Sequence, residues 1–325
     1  MLKRILSFYT RYFAIWVVLF GVAAYLWPRG FAALRGGMDW FFAVTMFGIG
    51  VVLEAEDFKR IVQRPVIVLI GTIEQYSVMP LTAYAIARIL NLEPEITVGL
   101  ILTASAPGAM SSNVISYIAR ADVAYSVSLT TVSTLLAPVV TPGLTYLLTK
   151  SVLPVPFWPM LFSVVWMVIL PLFVGFGVRR YLGDRIKTIL PIFPAISATF
   201  IIFICSLVIA LNREYLAKMT GVVLAAAVAM NILGMVAGYI VAWIFRMDVR
   251  QRRTLAIEGG MQNAGLGTVL AIKHIGERAA MPAAIFVFIC IITGSIAAAV
   301  WQRKTENGRQ RTEDRTQGRH REGKS

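Results

Sequence analysis

The sequence of 325 residues predicts an all-α polytopic membrane protein with ten transmembrane helices. Hydrophobic residues make up 58% of the chain and charged residues 15%, with a mean hydropathy of +0.72, which is too apolar for a water-soluble domain of this length. The charged residues lie at the ends of apolar blocks of about 17 to 25 residues, which is the length that a helix needs to cross roughly 30 Å of hydrocarbon. Cys205 and Cys290 both lie inside apolar blocks, so neither a disulfide nor a thiolate metal site is expected.

The first apolar block needs a separate argument, because Lys3 and Arg4 precede it as in a secretory signal peptide. The block ends at Trp27 and Pro28 without a small-residue cleavage pattern, so we retain it as a helix. The ten predicted spans are residues 11–27, 38–53, 66–90, 96–118, 121–149, 157–178, 189–211, 219–245, 251–275 and 280–301.

Lys and Arg are unevenly distributed between the two sides of this predicted topology. With the N terminus inside, the inner segments carry more of them than the outer ones, so the positive-inside rule puts both termini in the cytoplasm of an inner-membrane protein. Residues 302–325 are Arg-rich with interspersed acids and lack apolar periodicity, which predicts a disordered basic tail. Attraction to lipid headgroups accounts for the net charge of +14, and no nucleic-acid role is expected.

The chain contains a weak internal repeat, with one half at residues 1–150 and the other at 151–301. Each half has an apolar segment that is interrupted by glycine and followed by a Met, polar residues and Asn, at residues 104–113 and 258–263. Five spans in each half is an odd number, so the halves must have opposite topology. Interrupted hydrophobic segments at matching positions of two inverted halves indicate the midplane binding site of a transporter.

Glu258 is the most informative residue of the second interruption. A charged group at membrane depth costs roughly 2.5 to 3.5 kcal/mol on insertion scales, so it usually faces a cavity, an ion or a counter-charge. Gly259 and Gly260 follow it directly, and glycine can leave helical geometry and free backbone carbonyls. Carboxylate and carbonyl oxygens are the ligands of hard cations, so we predict a sodium site here. A protonated structural Glu258 is the alternative.

Three groups of residues carry a resemblance to a known family. They are Arg-Thr-Leu-Ala-Ile-Glu at 253–258 running into Gly-Met-Gln-Asn at 260–263, Ser-Asn-Val at 112–114 followed by Tyr-Ile-Ala-Arg at 117–120, and Gln75 five residues before Pro80. Over nearly its full length the chain resembles the bile acid:sodium symporter family, and it looks like a bacterial member. The resemblance implies two inverted five-helix repeats in which helices four and nine are broken and cross. Helices one, two, six and seven would form a panel domain, and helices three to five and eight to ten a core domain.

The resemblance also implies two sodium sites that share Glu258. One would use the side chains of Ser112, Asn113, Ser126, Thr130 and Glu258. The other would use Gln75, Glu258, Gln262 and backbone oxygens near Gly259 and Met261. The residues that would face the organic anion are Asn113, Asn263 and Ser111.

Two sodium ions beside one carboxylate leave a net positive charge, which an anionic substrate would reduce. The positive ends of the half-helices that begin near Ser112 and Asn263 could attract its carboxylate. The implied function is therefore sodium-coupled uptake of a bile-acid-like, pantoate-like or other monocarboxylate anion by alternating access. The implied partners are sodium ions, the anion and membrane lipids, and we expect a monomer. No motif in the sequence selects among these anions.

Two residues near the second sodium set depart from the family pattern. Gly259 stands where family members more often have Thr or Val, and Glu74 is an extra acid beside Gln75. Consecutive helical residues point about 100° apart, so Glu74 should face another helix or the interface rather than the Gln75 side.

Several polar residues in the spans have structural interpretations. Ser126 and Thr130 could satisfy carbonyls of their own helix, and Asn231 is expected to join helices rather than bind a ligand. Gly234 and Gly238 form a GxxxG pattern that favours close helix packing. His274 is expected at the interface rather than in proton transfer.

Other functional classes have less support in the sequence. The chain has only two histidines and no phosphate-binding loop or HExxH motif, so an enzyme is not expected. A channel could also use polar interruptions, but an inverted repeat with a single buried acid favours alternating access. A proton-coupled or efflux carrier of the same superfamily fold is the main alternative.

Overall fold

The structure, a computed structural model, describes residues 9, 13–183, 185, 189–190 and 192–322. All regular secondary structure in that part of the chain is helical, and its extended backbone pairing is one isolated antiparallel bridge between Gly108 and Gln262. The all-α prediction is therefore confirmed.

The helices of the first half follow the predicted spans, with short additions on either side of the second one. A 3-10 turn at Ala33–Gly37 separates α2 from α3. These helices are α1 (Phe13–Leu26), α2 (Pro28–Ala32), α3 (Met38–Val52), α4 (Ala55–Gln63), α5 (Pro65–Ile89), α6 (Pro94–Ala104), α7 (Ser111–Ile118) and α8 (Val123–Thr149).

The helices of the second half show the same kind of interruption near their end. A π-helical turn at Val165–Ile169 joins α9 to α10, and a 3-10 turn at Arg278–Ala280 precedes the last helix. These helices are α9 (Phe157–Val164), α10 (Leu170–Leu182), α11 (Ile192–Leu211), α12 (Arg213–Ile244), α13 (Val249–Gly260), α14 (Ala264–His274) and α15 (Met281–Glu322).

Five of the described helical segments are long and apolar enough to cross a membrane. A bent pair, Ile15–Leu26 with Pro28–Val52, would raise the number to six. The predicted spans at 96–118 and 251–275 are each divided into two short helices, which explains why neither counts as one long segment. The ten-span count therefore stays a prediction. The five segments are Pro65–Ile89, Val123–Thr149, Phe157–Leu182, Gly221–Ile244 and Arg278–Arg303.

The helix pair α12 and α13 packs at very short range. A Cβ atom on Gly238 would collide with the backbone of Leu255, and one on Gly234 would collide with the Gly259 carbonyl. The GxxxG pattern therefore serves close helix packing, as the sequence predicts. This contact fixes the C-terminal end of α13, which carries Glu258.

Two ion pairs join α3 and the turn before it to the end of α14 and the loop after it. Lys273 donates to Asp39, and the Arg35 guanidinium lies 2.5 Å from the Glu277 carboxylate. Elsewhere α3 packs mainly against α10 and α11, so these charges link two groups of helices. The panel and core division itself stays a prediction.

The last helix differs from the sequence-based expectation. The structure continues α15 to Glu322, whereas the composition predicts a disordered tail from Gln302. Arg, Gln, Glu and Lys are good helix formers, and adding residues to an existing helix avoids the cost of nucleation.

Candidate functional site

Two chain breaks meet at the centre of the candidate site. The first separates α6 from α7 at residues 105–110, where Pro107 lacks a backbone N–H and disfavours helix in the residue before it. The second separates α13 from α14 at residues 261–263. Ala109 N donates to Met261 O at 3.0 Å and Asn263 N donates to Pro107 O at 2.7 Å, so the breaks are joined by backbone hydrogen bonds.

Glu258 lies in the last turn of α13 and is fully buried. The Ser112 hydroxyl, at the start of α7, donates to Glu258 Oε1 at 2.5 Å, and the Ser126 hydroxyl of α8 also donates to it. Glu258 Oε2 has no hydrogen-bond partner in the described part of the chain. One oxygen is thus held by two helices while the other is free to bind a further group.

The polar groups around Glu258 Oε1 contain more acceptors than hydrogens. The Ser126 hydroxyl lies 2.8 Å from Asn113 Oδ1 as well as beside Glu258, and the Ser112 hydroxyl lies 2.6 Å from Ala109 O. Each hydroxyl carries one hydrogen, so each can satisfy only one of its two acceptors. A cation would satisfy several oxygens together.

Thr130 completes this oxygen cluster. Its hydroxyl lies 3.4 Å from Asn113 Oδ1 and 2.9 Å from the Ser126 carbonyl. The structure therefore brings together all five residues of the first predicted set. They come from three helices, and Ser112, Ser126, Thr130 and Glu258 are fully buried.

Three side chains of the second predicted set, those of Gln75, Glu258 and Gln262, lie near Gly108. Gln75 Nε2 and Gln262 Oε1 lie 3.1 Å apart. A Cβ atom on Gly108 would lie 2.9 Å from Glu258 Oε2 and 3.1 Å from Gln75 Nε2. The free carboxylate oxygen and the two buried amides therefore surround one glycine at the crossing.

The backbone oxygens of the second set have different surroundings. Met261 O accepts the hydrogen bond from Ala109, which leaves its second lone pair available. Gly259 O accepts no hydrogen bond from the described residues and packs against Gly234 of α12. The two carbonyls are thus engaged with different helices.

The residues predicted to face the anion are more accessible than the predicted ion ligands. Ser111, Asn113 and Asn263 are half-buried, and Ser111 and Asn263 lie at the starts of α7 and α14. The Asn263 side chain caps α14 by accepting from Leu266 N at 3.1 Å. Phe42 and Phe200 lie next to the first turn of α14, against Gly265, with ring centroids 5.2 Å apart.

Three other polar residues of the spans contact a second helix, as is expected for Asn231. Asn231 joins helices, because its Nδ2 donates to Gly260 O at 2.7 Å. His274 pairs with the Ser163 hydroxyl at 2.9 Å near the end of α14. Glu74 of α5 lies against Gly259 of α13.

Sequence reasoning missed Gly108 and Ser133. Gly108 gives the free Glu258 oxygen room, and its N–H donates to the Ser133 hydroxyl at 3.2 Å. Ser126, Thr130 and Ser133 lie at positions i, i+4 and i+7 of α8, which is a single helix face. That spacing was the available signal for Ser133.

Comparison with known proteins agrees with this geometry. Residues 40–219 match the model of the sodium bile acid symporter family. The chain belongs to that family. It is 37% identical over 305 residues to the uncharacterized sodium-dependent transporter YocS of Bacillus subtilis (strain 168). The match covers 94% of this chain and 95% of that protein.

Plant relatives extend the comparison beyond bacteria. The probable sodium/metabolite cotransporter BASS1 of Arabidopsis thaliana, a chloroplastic protein, is 36% identical over 261 residues, covering 80% of this chain and 65% of its own. The protein of the same name from Oryza sativa subsp. japonica is 32% identical over 302 residues, covering 91% and 73%. Membership of the sodium bile acid symporter family, together with the apolar helices, makes this a multi-pass membrane protein of a transporter family.

Proposed function

We propose that this protein is a secondary active transporter that couples sodium entry to uptake of a small organic anion. The observation that carries the proposal is the excess of oxygen acceptors over hydroxyl hydrogens around Glu258. A buried carboxylate surrounded by neutral oxygens fits a hard monovalent cation, with no sulfur or imidazole in the set. The names of relatives, which describe sodium-dependent transport and sodium/metabolite cotransport, support this choice of ion.

Two sodium positions share Glu258 in this proposal. The first uses Ser112, Asn113, Ser126 and Thr130 with Glu258 Oε1. The second uses Gln75 and Gln262 with Glu258 Oε2, together with the carbonyls of Gly259 and Met261. The unpartnered Glu258 Oε2 supports the second position, because buried polar atoms normally have a partner.

The organic anion binds at the half-buried edge of the crossing. Ser111, Asn113 and Asn263 supply polar contacts there, and the N termini of α7 and α14 favour negative charge. The apolar body of the anion packs toward Phe42 and Phe200, which lie beside α14. A bile-acid-like, pantoate-like or other monocarboxylate anion has this combination of one charge and an apolar body.

The direction of transport follows from charge. Two sodium ions and one monoanion carry one net positive charge, and its inward movement across 100 mV releases roughly 2.3 kcal/mol. The proposed arrangement is ten spans in two inverted repeats, as a monomer in the inner membrane with both termini in the cytoplasm. Positive-inside bias supports that orientation.

Alternating access requires two groups of helices to move relative to each other around the crossing. The ion pairs Lys273–Asp39 and Arg35–Glu277 join α3 and its preceding turn to the end of α14 and the loop after it. All four side chains are partly exposed, and exposed pairs contribute only about 0 to 1 kcal/mol each. They can therefore close one end of the site in one state and separate in another.

A thermal-shift screen of the purified protein tests the proposal. Organic anions should raise the unfolding temperature in sodium but not in potassium, and Glu258→Ala should abolish the effect. Glu56→Gln, which removes an exposed acid on α4, should retain it. Stabilisation equal in sodium and potassium would instead favour a proton-coupled or efflux carrier. Single-channel currents in a planar bilayer would favour a channel.

A further inference from the structure

Glu74 is a second carboxylate buried near the crossing. Its side chain is 3% exposed, and neither oxygen has a hydrogen-bond partner in the described part of the chain. Gln75, the next residue on α5, meets Gln262, whereas Glu74 packs against Gly259 of α13. An ionised carboxylate at membrane depth without donors requires a cation beside it.

The space beside Gly259 is shaped for this carboxylate. A Cβ atom on Gly259 would lie 2.9 Å from Glu74 Oε1, 3.2 Å from Oε2 and 2.9 Å from Gly234 O. Because Gly259 has no side chain, a space remains beside it, and the two Glu74 oxygens and the Gly234 carbonyl of α12 line that space. Gly259 O itself packs against Gly234 and accepts no hydrogen bond from the described residues.

Asn231 adds a further oxygen from α12. Its Nδ2 donates to Gly260 O at 2.7 Å, whereas its Oδ1 is buried without a partner in the described part of the chain. Asn231 and Gly234 are three residues apart on α12, so they share the face that packs on the end of α13. The Glu74 carboxylate therefore lies beside Gly259, and the Asn231 amide lies beside Gly260, the next residue of α13.

The number of these acceptors favours a metal ion over a proton. Protonation of Glu74 would supply one O–H, which could satisfy one acceptor and leave the others unpaired. A hard monovalent cation binds several oxygens at once. Gly259, which lies beside the Glu74 oxygens, carries no charge that could neutralise them.

We infer that Glu74 and Asn231 form an additional sodium site beside Gly259 and Gly260, distinct from the two that share Glu258. The inference rests on the proposed sodium coupling. It gives this carrier a second membrane-embedded carboxylate and therefore one more bound sodium ion per chain than Glu258 alone would support.

Saturation binding of radioactive sodium to the purified full chain tests the site, with potassium as the replacement ion. Glu74→Gln should bind one fewer sodium ion per chain than the unmodified protein. Glu56→Gln removes an exposed acid on α4 and should leave the number unchanged. Gly259→Ala keeps both acids but places a methyl group at the Glu74 oxygens, so it should also lose one sodium ion.

The outcomes separate the two proposals. If the unmodified protein binds no sodium, both are overturned. If it binds sodium and Glu74→Gln binds the same number, Glu74 is a neutral acid and only the additional site is overturned. Should Glu74→Gln fail to purify as a monodisperse protein, an unchanged sodium number in Gly259→Ala overturns the additional site instead.

Discussion

The Ser112 hydroxyl of α7 lies 2.5 Å from the Glu258 carboxylate of α13, although 146 residues separate them in the chain. The two interrupted helices therefore share one buried charge. Because α8 contributes Ser126 to the same carboxylate, three helices must keep their relative positions for this oxygen cluster to exist. Sodium affinity should consequently depend on each of them.

Removal of the Ser126 hydroxyl should weaken sodium binding. A hydrogen bond or ligand contact to a charged group is worth about 1.5 to 3 kcal/mol, so Ser126→Ala should lower the affinity about tenfold or more. Ser128→Ala is the matched control, because Ser128 is also buried on α8 but donates only to Ala124 O of its own helix. Sodium titration of thermal stability measures both. Equal affinities in the two variants would contradict the first sodium site.

Gly108 should tolerate no side chain. Gly108→Ala would place a methyl group 2.9 Å from Glu258 Oε2 and 3.1 Å from Gln75 Nε2, which obstructs the second sodium position. We expect fewer sodium ions bound per chain in saturation binding. Gly177→Ala adds the same methyl group on α10, where no atom lies within 4 Å of it, and should bind normally. Unaltered binding in Gly108→Ala would exclude a second ion at this glycine.

The charge at position 263 should discriminate anion binding from sodium binding. Asp and Ser both cap helices well, so Asn263→Asp and Asn263→Ser should each preserve α14 and the unfolding temperature. The aspartate would repel an anion at the start of α14, and we expect anion affinity to fall about tenfold or more there. Calorimetry with an organic anion in sodium makes the comparison. Similar anion affinities in the two variants would show that the anion does not bind next to Asn263.

The ion pairs between α3 and α14 should control access to the crossing. Asp39→Asn combined with Glu277→Gln removes both pairs, which together contribute up to about 2 kcal/mol. In a background that carries Asn263→Cys, labelling by a membrane-impermeant maleimide should then accelerate up to about thirtyfold.

The controls for this labelling experiment come from the same structure. Cys205 and Cys290 are buried, so they should contribute little background labelling. Glu54→Gln removes a pair with Arg179 of α10, which packs against α3, and should leave the rate unchanged. An unchanged rate in the double variant would mean that the pairs do not hold the site closed.

Close packing of α12 on α13 should be sensitive to one methyl group. Gly238→Ala would collide with the Leu255 backbone and should destabilise the protein by about 1 to 3 kcal/mol. Gly221→Ala on the same helix meets no atom within 4 Å and should leave stability unchanged or slightly higher. Thermal unfolding in detergent compares them. Equal unfolding temperatures would show that this contact is dispensable.

The sequence by itself determined that the chain is helical and suited to a membrane, because hydropathy and the spacing of charges are local properties. It also determined that the helix carrying Glu258 is interrupted, but not where: Gly259 and Gly260, which are expected to leave helical geometry, are the last residues of α13, and the break lies at residues 261–263. The resemblance supplied the oxygen ligands, and all five of the first set lie together in the structure.

Only the tertiary structure decided which groups meet across the breaks. Gly108 faces the free Glu258 oxygen, and Glu74 fits the space at Gly259, because helices distant in the chain pack at glycine positions. Such contacts depend on helix crossings and on side-chain direction, which no local pattern records.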